Sequence, residues 1–248
     1  MSEVGSGAGG AGGAAGVDGG DAARRSLRVA LLDYGAGNVR SVRNALAAAA
    51  GSVAEVDVAV ADVASAEDLA GADAVVFPGV GSFGSAMAAL ESRGLVGPLK
   101  AYLASGKPFF GICLGMQTLF EGSEESPGVA GLGVIPGMVR RFDVADAALS
   151  VPHIGWNAVR AVPKDDSPLA ALAPGTRVYF VHSFCAVPDG GNAEWVAATT
   201  DYGAPFVSAV QRGRVVATQF HPEKSGAAGI GVLAEFLRMA ARAAAGLP

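Results

Sequence analysis

Short apolar runs alternate with helical patterns through the first half of this chain. Four runs have the length and composition of buried strands: 27–32, 53–60, 74–77 and 109–112. Segments with helical spacing separate or follow these runs, at about 39–50, 85–92, 96–105 and 114–120. Because such alternation is typical of βαβ units, it predicts an α/β fold with a mostly parallel central sheet flanked by helices.

The second half of the chain has a different pattern. Six strand-like runs are separated by Gly and Pro turns: 133–135, 137–142, 178–181, 195–198, 206–210 and 215–220. We expect antiparallel strands to be added to the parallel core here, with Arg212-Gly213-Arg214 as a hairpin turn. The segment 151–157 has turn-like composition, and an amphipathic helix is predicted at about 229–243.

The first 26 residues are mostly Gly, Ala and Ser, with few large apolar side chains. Such a segment cannot bury enough surface to offset the entropy of ordering it, so residues 1–26 are predicted to be disordered. They also lack the charged start and compact apolar run of a secretory signal. Residues 27–248 show no repeat and no linker, and they are predicted to form one domain.

The composition excludes several classes of function. The 18 basic and 23 acidic residues are spread along the chain, and a net charge of -5 gives no basic surface for nucleic acid or for an anionic membrane. We find no transmembrane span of about 20 apolar residues. With only two cysteines, Cys113 and Cys185, a disulfide framework is not indicated, and a reduced cytoplasmic setting is expected.

Cys113 lies between a predicted strand and a predicted helix, in the segment Gly111-Ile112-Cys113-Leu114-Gly115. This is the G-x-nucleophile-x-G form of a nucleophile elbow, in which the glycines allow a sharp turn without steric clashes. Free N–H groups at the start of the helix favour a thiolate, and the N–H of Leu114 is half of a candidate oxyanion hole. The alternative is a buried structural cysteine, which is our interpretation of Cys185.

His221-Pro222-Glu223 follows the last predicted strand. An extended spacing of two places His221 and Glu223 on the same side of the chain, where the carboxylate can orient the imidazole as a base for a thiol. The alternative is an exposed pair at a strand end. The other two histidines are weaker candidates: His153 is interpreted as a binding or interface residue and His182 as a core or rim residue. No ligand cluster such as CxxC or HxxxH indicates a metal site.

A glycine-rich loop, Pro78 to Gly84, closes the third predicted strand. Its three glycines allow backbone N–H groups to approach a ligand closely. A phosphate cradle is the competing interpretation, but neither a GK[ST] ending nor a G-x-G-x-x-G after the first strand is present. An anion or oxyanion site is therefore expected.

Together these segments resemble the class I (triad-type) glutamine amidotransferases, a family with a flavodoxin-like fold. The resemblance rests on Gly111 to Gln117 and on His221-Pro222-Glu223. It implies a Cys113–His221–Glu223 triad that hydrolyses L-glutamine without a cofactor. It also implies an oxyanion hole and a substrate site made of the following residues: Val80, Gly81 and Leu114 for the oxyanion; Gly79, Gln117, Ser183 and Phe184 for the substrate.

Further segments resemble the amidotransferase subunits of imidazole glycerol phosphate synthase, which belong to histidine biosynthesis. They are 33–38, 78–84, 152–157 and 221–225, within a likeness that extends from about Arg28 to the C-terminus. This implies a heterodimer in which Trp156, Asn157 and Lys224 face a (β/α)₈ cyclase that uses the ammonia to form imidazole glycerol phosphate and AICAR. Cys185 departs from the family pattern, where we expect an aromatic residue.

Three alternatives stay open at this point. The same chemistry could serve another synthase, such as that of the vitamin B6 pathway. The chain could be a catalytically silent binding subunit, or a general cysteine hydrolase or peptidase on a similar fold. The segment Gly155-Trp156-Asn157 with Lys224-Ser225 argues against the first, and the intact triad argues against the second.

Overall fold

The computed structural model describes residues 25–35, 39–54, 56–144 and 149–247. The predicted disorder of the N-terminal segment therefore falls almost wholly on residues outside the described part of the chain. Arg25 and Ser26 are described, and they are the first residues of a strand. The domain boundaries stay a prediction.

Thirteen strands and six α-helices are described. The helices are α1 Val39–Ala50, α2 Ala66–Gly71, α3 Phe83–Ser92, α4 Val96–Ala104, α5 Leu114–Gln117 and α6 Gly226–Ala244. The strands of the first half are β1 Arg25–Leu31, β2 Val56–Asp62, β3 Ala74–Gly79, β4 Phe109–Cys113, β5 Phe120–Ser123 and β6 Ile135–Arg141. Those of the second half are β7 His153–Ala158, β8 Arg160–Ala161, β9 Arg177–His182, β10 Phe184–Ala186, β11 Val196–Tyr202, β12 Ala204–Arg212 and β13 Val215–Thr218. Short 3₁₀ helices cover Pro168–Ala171 and Pro222–Lys224.

Eleven strands form one sheet, in the order β2-β1-β3-β4-β13-β12-β10-β6-β5, with β11 and β8 paired beyond β12. The strands β2, β1, β3, β4 and β13 are mutually parallel, whereas β12 pairs antiparallel with β13, β10 and β11. A separate antiparallel pair joins β7 to β9. The predicted α/β fold with a parallel core and antiparallel additions is confirmed, including the hairpin at Arg212-Gly213-Arg214.

The sheet is covered on both faces because its central strands alternate their apolar side chains between two cores. In β4, Phe110 and Ile112 belong to the core shared with α1 and α6, whereas Phe109 belongs to the core shared with α3 and α4. Every residue of β3 and β4 is buried. Such continuously apolar strands are typical of parallel sheets with helices on both faces.

Two local predictions were wrong. The helix predicted at 114–120 ends at Gln117, because Phe120 begins β5 and pairs with Ile135 of β6. The segment 151–157, predicted to be a turn, contributes the six-residue strand β7, which pairs with β9 from His153↔His182 to Ala158↔Arg177. In both cases long-range strand pairing outweighed the local signals, which were an apolar run in one case and Pro and Gly in the other.

The close approach of α5 to β3 gives a test of this packing. A Cβ at Gly115 would lie 1.9 Å from the backbone oxygen of Phe77, so Gly115→Ala has to move backbone between two buried elements. We expect Gly115→Ala to lower the free energy of unfolding by at least about 1–3 kcal/mol, the usual effect of overpacking. Chemical denaturation measures this loss.

Gly97→Ala is the matched control, since a Cβ at this position in α4 meets nothing within 4 Å. Alanine is also the better helix former, by roughly 0.5–1 kcal/mol. The control is therefore expected to keep or raise stability. Equal effects of the two substitutions would contradict the packing described for Gly115.

Candidate active site

Three parallel strands end side by side at one edge of the sheet. In the pairing register, Gly79 at the end of β3 lies opposite Cys113 at the end of β4, and Ile112 lies opposite Thr218 at the end of β13. The carboxyl ends of parallel strands are where open α/β sheets bind ligands. The glycine loop, the candidate nucleophile and the His-Pro-Glu segment therefore meet at one place, although they are far apart in sequence.

The backbone at Cys113 is in a conformation that L-residues rarely adopt, with φ 53° and ψ -104°. Such strain persists only where the surrounding structure imposes it, and it is typical of functional sites. Gly111 and Gly115 make the turn possible: a Cβ on Gly111 would lie 2.9 Å from backbone atoms of Gly115. The side chain of Cys113, predicted as a nucleophile, is thereby presented at the end of its strand.

His221 and Glu223 are brought together, but not by the extended chain that the sequence indicated. Pro222 starts a short 3₁₀ helix, Pro222–Lys224, for which His221 is the N-cap residue. Within this turn the Nδ1–H of His221 donates to Oε1 of Glu223 at 2.8 Å, and both side chains are 2% exposed. Ser225 Oγ donates to the His221 carbonyl at 2.7 Å and holds the turn closed.

The contact with Glu223 assigns the tautomer of His221. With the proton of the neutral ring on Nδ1, Nε2 keeps a free lone pair. This Nε2 is buried and has no hydrogen-bond partner among the described residues. It is therefore able to accept a proton from a thiol, as a general base requires.

The pKa of His221 is raised to about 9. Burial by itself lowers this pKa, but the negative charge that Cys113 carries as a thiolate and the carboxylate of Glu223 together outweigh burial. An imidazolium at His221 thus depends on a thiolate at Cys113.

Sequence reasoning missed a buried carboxamide that contacts the candidate nucleophile. Gln219 is fully buried, and its Nε2 donates to the Sγ of Cys113 at 3.5 Å. Its Oε1 accepts a hydrogen bond from Nε2 of Gln117 at 3.0 Å. The available signal was a polar residue inside the apolar run 215–220, two positions before His221.

The glycine loop lies beside Cys113, as predicted. Val80 and Gly81 line the same cavity as Cys113 and Leu114, and Gly81 has a positive φ of +100° that favours glycine. The hydroxyl of Tyr34 donates to the Val80 carbonyl at 2.6 Å. Since this carbonyl and the N–H of Gly81 belong to one peptide group, Tyr34 also sets the direction of that N–H.

A cavity of about 420 Å³ opens next to Cys113. Most of the residues predicted for catalysis, the oxyanion and the substrate line it: Val80, Gly81, Cys113, Leu114, Gln117, Ser183, Phe184 and His221. Glu223 lies behind His221, and Gly79 lies at the adjacent strand end. Sequence reasoning did not single out the contributions of Glu125, Pro152 and Val181 to the wall.

A larger cavity, of about 700 Å³, lies at the opposite end of the sheet near Lys100, Trp195 and Arg212. It contains none of the predicted site residues, so its size does not identify the site. The described residues contain no group of three or more His, Cys, Asp or Glu side chains able to hold a metal ion. Likewise, no described helix has the length and hydropathy needed to cross a bilayer.

Of the three residues predicted to face a partner, Lys224 lines the cavity. Trp156 is 51% exposed on β7 and packs edge-on against Tyr179 of β9, and Lys224 lies over the same Tyr179 ring. Ile154, which the sequence analysis did not single out, is 58% exposed on the same strand. Asn157 uses both polar atoms internally, donating to the Asp201 carbonyl and accepting from the N–H of Ala158.

The other two histidines and the second cysteine are buried. His153 and His182 face each other with Nδ1 and Nε2 3.3 Å apart, and burial lowers their pKa values to about 4 and about 3. His182 also lines the cavity, which confirms its interpretation as a core or rim residue. His153, predicted for binding or an interface, is instead 3% exposed and stacks on Phe180. Cys185 is also buried as predicted, and burial raises its pKa to about 12, so it is not a competing nucleophile.

Comparison with known proteins identifies the family of this chain. The family model for glutamine amidotransferase class I matches residues 30–239, which include every predicted site residue. The chain belongs to the class I glutamine amidotransferase family. The solved structure of a glutamine amidotransferase has the same fold, with a TM-score of 0.63 and 21% sequence identity over 86% of this chain and 98% of that chain.

Several relatives of this amidotransferase are subunits of one enzyme. The present chain is 48% identical to imidazole glycerol phosphate synthase subunit HisH of Deinococcus radiodurans, over 87% of this chain and 95% of the relative. Identity to the subunit HisH of Methanothermobacter thermautotrophicus is 44%, over 85% and 98% of the two chains. The chloroplastic imidazole glycerol phosphate synthase hisHF of Arabidopsis thaliana is 50% identical, but the match spans only 34% of that longer protein.

Because the charge of Cys113 raises the pKa of His221, removing Cys113 is predicted to lower that pKa. Replacing Cys113 with Ala removes the negative charge that raises the pKa of His221 but leaves the burial that lowers it. We therefore expect the pKa of His221 to fall from about 9 in Cys113→Ala, as measured by NMR of the imidazole nitrogens. The low pKa of His153, which results from burial, serves as the internal control.

The same coupling gives a stability profile. The folded-state pKa of His221 lies above its ordinary value of 6.5, so the imidazolium stabilises the fold fully below about pH 6.5. This contribution is lost as the pH rises through about 9. In Cys113→Ala, where the pKa of His221 is lower, this stabilisation is expected to disappear at a lower pH. An unchanged His221 titration in the variant would contradict the coupling.

Proposed function

We propose that this amidotransferase is the glutaminase subunit of imidazole glycerol phosphate synthase. It hydrolyses glutamine to glutamate and ammonia, and a (β/α)₈ cyclase subunit uses the ammonia to form imidazole glycerol phosphate and AICAR in histidine biosynthesis. One observation carries the proposal: Cys113 projects from a strained elbow beside a buried His221–Glu223 pair. The identity to complete HisH subunits supports the choice of synthase.

The chemistry follows from the positions of these groups. With its proton on His221, the Cys113 thiolate attacks the side-chain carbonyl carbon of glutamine and forms a tetrahedral oxyanion. The intermediate collapses, His221 gives its proton to the leaving nitrogen, and ammonia departs from a glutamyl thioester. His221 then takes a proton from water, whose oxygen attacks the thioester. Collapse of this second intermediate releases glutamate and restores the thiolate and imidazolium.

Backbone groups around the cavity supply the remaining functions. The N–H groups of Leu114 and of the Val80–Gly81 segment are proposed to hold the oxyanion, where loss of one donor typically costs on the order of 10²–10³ in rate. Gln117, Ser183 and Phe184 line the cavity and are proposed to bind the substrate, with Gly79 leaving room at the strand end.

The partner is proposed to dock on the outer face of β7 and β9. Ile154 and Trp156 are exposed there, opposite Val181 and Tyr179 in the pairing register. Val181 and Lys224 also line the cavity that contains Cys113. A cyclase on this face would therefore cover the mouth of the cavity, so that ammonia passes to it without entering bulk solvent. The free Cys113 and Cys185 are consistent with a reduced, cytoplasmic setting, which we propose for the heterodimer.

The fused relatives support the same partnership. In Arabidopsis thaliana and Schizosaccharomyces pombe the matching segment is 34% and 38% of proteins named imidazole glycerol phosphate synthase hisHF. A glutaminase and its acceptor in one polypeptide are held together permanently. For the present chain, we propose that the exposed β7–β9 face replaces the covalent connection.

The role of the nucleophile is tested by Cys113→Ser in the complex with the cyclase. Serine keeps the shape of the site, but its hydroxyl is far less acidic than a thiol, so no nucleophile forms at neutral pH. We expect glutamine hydrolysis to be abolished, as measured by glutamate release, while the far-ultraviolet circular dichroism stays unchanged.

Cys185→Ser is the matched control, because Cys185 is buried away from the cavity lining. It is expected to keep glutamine turnover, with some loss of stability from the buried hydroxyl. Turnover by Cys113→Ser comparable to that of the unsubstituted protein would refute the proposed function.

Activity is also proposed to depend on the partner, through the direction of the Gly81 N–H. The Tyr34 hydroxyl donates to the Val80 carbonyl, so any rotation of the Val80–Gly81 peptide, and of the Gly81 N–H with it, has to break this bond. We expect hydrolysis without the cyclase to be slow, and Tyr34→Phe to raise it by about fivefold, the equivalent of one hydrogen bond.

Glutaminase assays with and without the cyclase measure both effects. Tyr102→Phe is the control: its hydroxyl also donates to a carbonyl, that of Pro108, but outside the cavity lining. Equal rates with and without the partner would refute partner dependence. A Tyr34→Phe variant no faster than the control would refute the role of this hydrogen bond.

A further inference from the structure

Gln219 is a buried polar side chain whose position the reaction described above does not use. It lies one residue beyond β13 and is fully buried, and its backbone N–H donates to the Ser208 carbonyl at 2.9 Å. Its side chain reaches the Sγ of Cys113 at 3.5 Å. A carboxamide in contact with the nucleophile either donates to it or accepts from it, and the two cases have opposite consequences for a thiolate.

The surrounding hydrogen bonds determine which end of the carboxamide faces sulfur. The backbone carbonyl of Phe184 is only an acceptor, so the atom of Gln117 that lies 3.0 Å from it is the nitrogen. That same nitrogen lies 3.0 Å from the Gln219 carboxamide, whose nearer atom must be the oxygen. The nitrogen of Gln219 therefore points at Cys113.

This orientation is anchored away from the nucleophile. The Phe184 carbonyl also accepts a hydrogen bond from Nδ1 of His182 at 2.8 Å, and His182 in turn faces His153. A chain of contacts thus runs from the buried histidines through Phe184 and Gln117 to Gln219. Reversing the Gln219 carboxamide would place two oxygens against each other or two nitrogens against each other along this chain.

The ionisable groups around Cys113 show why a neutral donor is useful there. His221 and Glu223 in the turn after β13 supply one positive and one negative charge, and His182 at the end of β9 is neutral because burial lowers its pKa. Tyr34 and Asp33 follow β1; burial raises the pKa of Tyr34, which stays neutral. Lys224 and Glu125 add one charge of each sign to the wall of the same cavity. Of all these groups, His221 is the one whose pKa the charge of Cys113 raises.

We propose that Gln219 is a further catalytic residue, whose carboxamide N–H donates to the Cys113 thiolate and holds its Sγ in position for attack. The inference rests on the proposed glutaminase function. Cys113 is then held from two directions, by the imidazolium of His221 and by the Gln219 amide. Sulfur is a weak acceptor as a thiol and a stronger one as a thiolate, so the contact favours the ionised form.

The contact has a defined place in the reaction. When the thiolate attacks, its electron pair forms the bond to the glutamine carbonyl carbon, and the hydrogen bond from Gln219 weakens as sulfur loses its charge. When the thioester is cleaved by water, the electron pair returns to sulfur as the leaving group. The Gln219 N–H then stabilises the departing thiolate. Gln219 itself neither gains nor loses a proton in this step.

The test compares Gln219→Met with Gln211→Met in the complex with the cyclase. Met is similar to Gln in length but has no donor. Gln211 is also a buried glutamine, and its Nε2 donates to backbone carbonyls of Asp165 and Gly213 at the other end of the β12–β13 hairpin. Each variant therefore loses a buried carboxamide with two side-chain hydrogen bonds, but only Gln219→Met loses a bond to sulfur.

For Gln219→Met we expect kcat for glutamine hydrolysis to fall about tenfold with little change in KM, as loss of one hydrogen bond to a charged group implies. We also expect the pH midpoint of Cys113 alkylation by iodoacetamide to rise by about one unit, which is the same tenfold effect. Cys185 does not interfere, because it is buried and its pKa is raised to about 12. Mass spectrometry confirms the alkylated residue.

Gln211→Met is expected to match the unsubstituted protein in kcat and in alkylation midpoint. Thermal unfolding shows whether each variant is folded. Should Gln219→Met be unfolded, Gln219→Asn keeps a carboxamide in the core but is one methylene too short to reach sulfur, and the same two changes are expected. In the unsubstituted protein, the side-chain amide NMR signal of Gln219 is expected to move when Cys113 is alkylated.

The proposal is overturned by folded Gln219 variants with an unchanged kcat and alkylation midpoint, by equal losses in Gln211→Met, or by an amide signal that does not respond to alkylation. Failure of the proposed function has a different result. In that case the unsubstituted complex releases no glutamate, whereas iodoacetamide alkylation still reports on the thiolate and on Gln219.

Discussion

The parallel pairing of β4 with β3 on one side and β13 on the other determines where every reacting group lies. Because the three strands end in register, Gly79, Cys113 and Thr218 reach the same edge of the sheet. The turns that follow then need only a few residues to surround one small volume. Two residues after Cys113, the close approach of Gly115 to the Phe77 carbonyl keeps the first turn of α5 packed against β3. Loss of this register would separate the nucleophile from its base and from the oxyanion donors together.

The site lowers the stability of the folded protein, and the neighbouring buried strands offset this loss of free energy. His221 Nε2 and Glu223 Oε2 are buried without hydrogen-bond partners among the described residues, at roughly 1–3 kcal/mol for each such group. The positive φ of Cys113 adds about 1–3 kcal/mol. Opposing these costs are the fully buried apolar strands β3 and β4. Of these two atoms, Nε2 of His221 is the one that the proposed reaction needs, since a base already bonded elsewhere could not accept a proton.

The sequence predicted those parts of the fold and site that depend on local chemistry. The elbow around Cys113 and the His221-Pro222-Glu223 segment were recognisable because few residue types allow such turns and such proton transfer. Other features depend on distant partners and were therefore missed or misjudged. β7 looked like a turn until its pairing with β9 was known, and the position of Gln219 against Cys113 depends on a contact across 106 residues. The His221–Glu223 contact was predicted correctly, but through an extended chain rather than a 3₁₀ turn.

β9 connects the proposed partner face to the interior of the site. Its outward side chains, Tyr179 and Val181, lie opposite Trp156 and Ile154 of β7, whereas its inward side chains belong to the core. At its end, His182 donates to the Phe184 carbonyl, which also accepts from the carboxamide of Gln117. The hydrogen bond from His182 thus links the end of β9 to the carbonyl that fixes the carboxamide of Gln117. The geometry that orients the Gln219 amide toward sulfur is therefore continuous with the surface on which a cyclase would dock.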